Sequence, residues 1–141
     1  MKFWDTSALL SLLAGQSGGS ELKPLINEDP GLVLWWGTRV ELVSGVCRLR
    51  RDELIDERTF SALLSRIGTI TAEADQVEPI EQVRQGAVRV LRVHNLRAAD
   101  ALQLAAALVW TEHNPSGIGF VCLDKRLREA AEREGFKVLP D

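Results

Sequence analysis

The sequence predicts an α/β fold, three layers deep (α/β/α), with a central, mostly parallel sheet of four to five strands. Short apolar runs, Phe3–Trp4, Leu32–Trp36 and Phe120–Leu123, alternate with longer segments of helical periodicity. No two long hydrophobic runs are joined by a hairpin turn, so the strands need crossover connections. The runs are apolar at successive positions, as strands buried on both faces must be. A chain of 141 residues suits a single domain, 1–141, with one core.

The first strand opens at Lys2 and delivers Asp5 to the sheet edge. Asp5, Thr6 and Ser7 carry side-chain oxygens that accept the first free amides of a helix continuing through Ala8, Leu9, Leu10, Leu12 and Leu13. Gly15, Gly18 and Gly19 mark a loop, and Glu21–Asn27 a short helix that tolerates Pro24 only near its start. After the Asp29-Pro30-Gly31 turn comes the second strand, Leu32–Trp36, whose two tryptophans are read as core. Thr38 and Glu41 have the spacing of a capping box, ahead of a helix with Val40, Leu42, Val43, Val46 and Cys47 on its apolar side. Glu41, Gly45 and Arg48 share one face of that helix.

Asp56–Ile67 is a helix with Phe60, Leu63, Leu64 and Ile67 toward the core. A short edge strand is expected around Val77, and Pro79 opens a helix running to about His94. Asn95 is placed as the cap of the alanine-rich helix Leu96–Val109, which carries Asp100 in its first turn. Phe120–Leu123 forms the next strand, with Asp124 at its carboxyl end. Lys125–Glu134 is helical, Gly135 ends it, and Lys137–Leu139 adds a last strand.

No apolar run approaches the ~20 residues of a membrane helix. The first residues lack the pattern of a secretory signal, and Cys47 and Cys122 have no ligand-spaced partner. A cytoplasmic, reduced protein is expected. The formal net charge is −3, yet 13 of the 17 basic residues are arginine, the side chain best shaped for phosphate. Nucleic acid is therefore compatible with the distribution of charge, though not with its sum. Neither His94 nor His113 is assigned a catalytic role.

In a parallel sheet with right-handed crossovers, Asp5, Glu41, Asp100 and Asp124 gather at one edge. Two carboxylates about 5 Å apart repel by roughly 3 kcal/mol at an effective dielectric near 20. Protonation, an arginine or a divalent cation can offset this, and an all-oxygen set suits magnesium or manganese better than zinc.

These residues, in order, resemble the PIN-domain ribonucleases, and among them the VapC-type toxins of toxin-antitoxin pairs. The likeness rests on Asp-Thr-Ser-Ala-Leu at 5–9, Glu41 in Val-Glu-Leu-Val-Ser-Gly, Leu-Arg-Ala-Ala-Asp-Ala-Leu-Gln-Leu-Ala at 96–105, and Val-Cys-Leu-Asp-Lys-Arg-Leu at 121–127. Cys122 departs from the pattern, since many relatives have threonine there. The resemblance implies a PIN-like sandwich and magnesium- or manganese-dependent hydrolysis of RNA. It implies Asp5, Glu41, Asp100 and Asp124 as catalytic metal ligands, with Thr6 or Ser7 in support. Arg48 and Arg126 are candidates for RNA phosphates, and Trp35 or Trp36, if exposed, for base stacking.

The same resemblance implies a small VapB-like antitoxin, for which an apolar groove beside Leu9, Leu12, Leu13 and Leu22–Ile26 is expected. It also implies a homodimer, expected to use apolar surface around Val40–Leu49 and Leu63–Ile67. Two other readings fit the fold class: a receiver-like phosphoacceptor domain, in which Glu41 and Asp100 would be superfluous, and a non-catalytic PIN-like binding protein, which would have no need of four acids.

Overall fold

A computed structural model describes residues 1–141. Five strands, β1 (Lys2–Trp4), β2 (Leu32–Trp35), β3 (Asp75–Val77), β4 (Gly119–Val121) and β5 (Lys137–Leu139), form one sheet in the order β3-β2-β1-β4-β5. Every pairing is parallel. The chain builds outward from β1 to β2 and β3, then crosses back to lay β4 on β1's other side. That reversal makes the end of the β1/β4 pair a topological switch point, where ligands of open α/β sheets bind.

Seven helices cover the sheet. On one face lie α1 (Thr6–Ala14), α2 (Gly19–Glu28), α3 (Thr38–Arg51) and α4 (Glu57–Glu73), packed over Trp4, Leu34 and Val121. On the other lie α5 (Glu81–Val93), α6 (Ala98–Trp110) and α7 (Lys125–Arg133), over Phe3, Val33, Phe120 and Cys122. Adjacent strand residues point to opposite faces, so Phe3 and Trp4 anchor different layers. Phe3 and Phe120 stack across the β1/β4 pair with centroids 5.4 Å apart.

Several boundaries differ from the sequence reading. α2 begins at Gly19, after Gly18 at φ 90°, and holds Pro24 inside it, forgoing a helical hydrogen bond. α4 runs on to Glu73 because the buried spacing Phe60, Leu63, Ile67 continues to Thr71, whose hydroxyl bonds back to the Ile67 carbonyl at 2.7 Å. α5 starts at Glu81, with Ile80 rather than Pro79 at its entry. Thr38 caps nothing: Gly37 occupies the cap of α3 without a side-chain bond, and Thr38 and Glu41 are engaged elsewhere. Asn95 does not cap α6 either. The Leu96 amide turns back onto the His94 carbonyl, which moves the helix entry to Arg97.

Two expected apolar surfaces are partly covered. Leu9, Leu13 and Leu22 are buried where α1 and α2 pack, whereas Leu12, Leu25 and Ile26 beside them are half-buried. Leu42, Val46, Leu49, Leu63 and Ile67 are buried in this chain's own core, while Val40 of α3 and Val88, Leu91 and Val93 of α5 stand exposed. Trp35 is core, but Trp36 is 52% exposed. No helix is long and apolar enough to cross a membrane.

Candidate active site

Asp5 and Asp124 occupy equivalent places in the fold. Each is the extended residue that leaves its strand and caps the following helix: Asp5 accepts from the Ser7 amide at 3.0 Å, and Asp124 Oδ1 from the Leu127 amide at 2.9 Å. The Asp5 amide donates to the Val121 carbonyl at 2.9 Å, which ties the two strand ends together. Ser7 joins them again: its hydroxyl donates to Asp5 Oδ2 and accepts from the Leu123 amide at 3.0 Å. The hydrogen bonds to Asp5 converge on Oδ2, so Oδ1 is left without a protein donor.

Glu41 arrives from α3 and Asp100 from the first turn of α6. Close packing of α1 on α3 brings Glu41 in. A Cβ on Gly45 would stand 2.5 Å from Leu10 Cδ2, so glycine lets the two helices approach without displacing the end of that leucine side chain. The Glu41 carboxylate accepts from Gln103 Nε2 at 3.2 Å.

All four acids line one cleft of about 470 Å³, together with Thr6, Ser7, Leu10, Val40 and Arg48. Beside it, sharing Glu41, Arg48, Asp100 and Asp124, a second hollow of about 630 Å³ adds Arg97, Lys125 and Arg126 to the wall. An acidic floor thus meets a cationic rim.

The electrostatics report the crowding. Burial, and then the charge of Asp100, raise the Asp5 carboxyl against the hydrogen bonds from Ser7 and Cys122. Burial first, and Asp5 second, push Glu41 up to about 7. Asp100 is raised by burial and by Asp124, against the opposing pull of Arg97 and Arg126. A divalent cation would reverse each of these shifts, and oxygen donors alone line the floor, as magnesium or manganese prefers. No three of these side chains stand close enough to one another to form a closed ligand set. The donor chemistry fits a hard cation, whereas the spacing of the four acids does not by itself make a closed ligand set.

A model of the PIN domain matches residues 2–133. The chain belongs to the PIN domain family. Members of this family are generally nucleases. Among solved structures it is similar in fold to a toxin-antitoxin complex from Klebsiella pneumoniae, with a TM-score of 0.65 and 16% identity over 89% of each chain. FitAcB from Neisseria gonorrhoeae gives 0.68 and 17% identity, over 99% of this chain and 97% of the other. PAE2754 from Pyrobaculum aerophilum gives 0.64 and 18%, over 98% and 88%. No curated protein matches the sequence significantly.

A receiver-like sheet would run β2-β1-β3-β4-β5, whereas this PIN domain runs β3-β2-β1-β4-β5, so the phosphoacceptor alternative loses its structural basis. The structure brings together every acid singled out in the sequence, along with Thr6, Ser7, Arg48 and Arg126. It adds Arg97 and Lys125, which the sequence reading passed over, and Gln103. The signal for Gln103 was present: Ala101–Trp110 is otherwise apolar all round. Such a helix is buried, and a polar residue within it needs partners.

Proposed function

We propose that this PIN domain, read as one domain over 1–141, is a magnesium- or manganese-dependent endoribonuclease, the toxin of a type II toxin-antitoxin pair acting in the cytoplasm. The observation that carries this reading is the convergence of four carboxylates, from four separate segments, on a cleft walled by arginine and lysine. Asp5, Glu41, Asp100 and Asp124 would hold the cation, with Thr6 or Ser7 as supporting oxygens. Such an ion supplies Lewis acidity toward water and toward the charge that develops on phosphate and leaving oxygens.

The protein's own part is positioning. Asp5 is fixed by Ser7 and by its own cap, so its free oxygen is aimed by the backbone. Arg48, Arg97, Lys125 and Arg126 would bind phosphates on either side of the scissile bond, while Trp36, exposed at the same sheet edge, offers a face for an unpaired base. A cognate VapB-like antitoxin would restrain the enzyme by placing an arginine among the carboxylates, since the guanidinium fork can bind two at once. Exposed Val88, Leu91 and Val93 support a homodimer through α5, which light scattering at tens of micromolar would reject by reading a monomer mass.

The deciding experiment is RNA cleavage by wild type and Asp5→Asn, with magnesium and with chelator. Cleavage is expected from the wild type with metal alone. A folded Asp5→Asn protein that cuts at the wild-type rate would sink the assignment.

A further inference from the structure

Gln103 stands on α6, in the layer packed beneath Phe3 and Phe120, yet its amide serves the opposite layer. It is fully buried. Passing the ends of β1 and β2, its Nε2 lies 2.8 Å from Thr6 Oγ1 on α1, and 3.0 and 3.2 Å from Thr38 Oγ1 and Glu41 Oε1 on α3. One amide therefore bridges three helices from the two layers at the sheet edge where the acids meet.

The three acceptors are not equivalent. An amide nitrogen has two protons to give; a threonine hydroxyl can turn and donate elsewhere, whereas an ionised carboxylate can only accept. Gln103 Oε1 has no partner at all. The reverse amide orientation would let that oxygen accept from both hydroxyls, but would set it against the Glu41 carboxylate. When Glu41 is ionised, the contact with it favours the orientation that turns Nε2 toward its carboxylate. Glu41 needs such a hold, because the charges of Asp5 and Asp100 both act against its carboxylate, and its side chain has three free torsions with which to swing away.

We propose that Gln103 is the positioning residue for Glu41, holding its carboxylate over the cleft floor in the absence of metal so that a cation meets a prearranged ligand. This rests on the metal-site reading above. Gln103 itself would touch neither cation nor RNA.

The test is a double-mutant cycle with Gln103→Met and Glu41→Ala, each variant read by manganese titration calorimetry and by metal-free melting temperature. Methionine keeps the length and helix preference of glutamine, so α6 is preserved. In the wild-type background Gln103→Met should weaken manganese binding about 10- to 100-fold, the usual effect of losing a partner of a metal ligand. In the Glu41→Ala background it should change affinity by no more than about twofold. An equal loss in both backgrounds would overturn the proposal, because Gln103 would then act through Thr6, Thr38 or general packing. If the wild type binds no manganese, the metal-site reading itself fails and melting decides Gln103 alone: shifts that fall short of additivity support its coupling to Glu41, and additive shifts refute it.

Discussion

Asp5 Oδ2 lies 3.5 Å from the sulfur of Cys122 at the junction of β1 and β4. The thiol is fully buried, and burial, followed by the Asp5 charge, pushes its pKa far up. Thiolate is the reactive form, so Cys122 should resist alkylation in the folded protein while half-buried Cys47 reacts first. Mass spectrometry of briefly alkylated protein checks this, and equal labelling of the two would contradict it. Cys122→Thr replaces a weak donor with a better one at the same place. It should leave stability within ~1 kcal/mol and preserve whatever cleavage the wild type shows.

Acidity should stabilise the metal-free protein. Glu41 sits at about 7, raised from an ordinary 4.5, and Asp5 and Asp100 are raised too. A carboxyl raised in the folded state adds stability that is complete below its unfolded value and is lost as pH climbs through the folded one. For Glu41, screening by solvent leaves about 1–2 kcal/mol of this, or roughly 3–6 °C in a protein of this size. Melting should therefore occur higher at pH 5 than at pH 8. Asp29, Asp56 and Glu134 are lowered and act in the opposite sense only below that range. Saturating magnesium should flatten the slope, and a metal-free protein that melts higher at pH 8 would refute the account.

The rim cations and Trp36 should fail differently. Replacing Arg97 or Arg126 with alanine is expected to weaken RNA binding and to lower the salt slope by about 0.7 for each phosphate that is no longer neutralised. Trp36→Ala should weaken binding by ~1–3 kcal/mol with the slope unchanged, as loss of a stacked base would. Fluorescence anisotropy across a salt series, in an Asp5→Asn background to prevent cleavage, separates the two. Identical slopes for all variants would remove the arginines from the RNA path.

Arg128 carries a structural load beside the site. Its guanidinium donates to the Cys122, Leu139 and Pro140 carbonyls at 2.7, 3.2 and 2.7 Å, clamping the exits of β4 and β5. Arg128→Met leaves those acceptors short of donors, and chemical denaturation should register a loss of about 1–3 kcal/mol. A change below ~0.5 kcal/mol would mean that water replaces the clamp.

The sequence revealed where the acids lie because each follows a local rule that the fold also uses. Asp5 read as a strand-to-helix cap and Asp124 as the end of its strand, and both cap the helix that follows. Thr38 and Glu41 obeyed a local rule as well, the capping box, but Gln103 drew both side chains away from it. That competition comes from a residue more than sixty positions distant, beyond any window of periodicity. Trp36 was misread for a related reason: the strand stops at Trp35, and one further residue lies outside the sheet's cover. Arg97 and Lys125 looked like ordinary charges because only the fold sets them on the same wall.

The strand order has a consequence for the chain while it is being made. β1 is completed by β4, with Phe3 beside Phe120 and Trp4 beside Val121, so this pairing closes a very long loop and belongs to the slow class of folding events that join distant parts of a chain. Until residues 119–121 leave the ribosome, Asp5 has no β4 to pair beside and Asp124 does not yet exist in the pocket. A nascent chain stalled short of residue 119 should be inert toward RNA however much of its helical layer has formed. On the function proposed above, the topology would leave the four-acid centre unassembled until nearly all of the segments that carry it have been released.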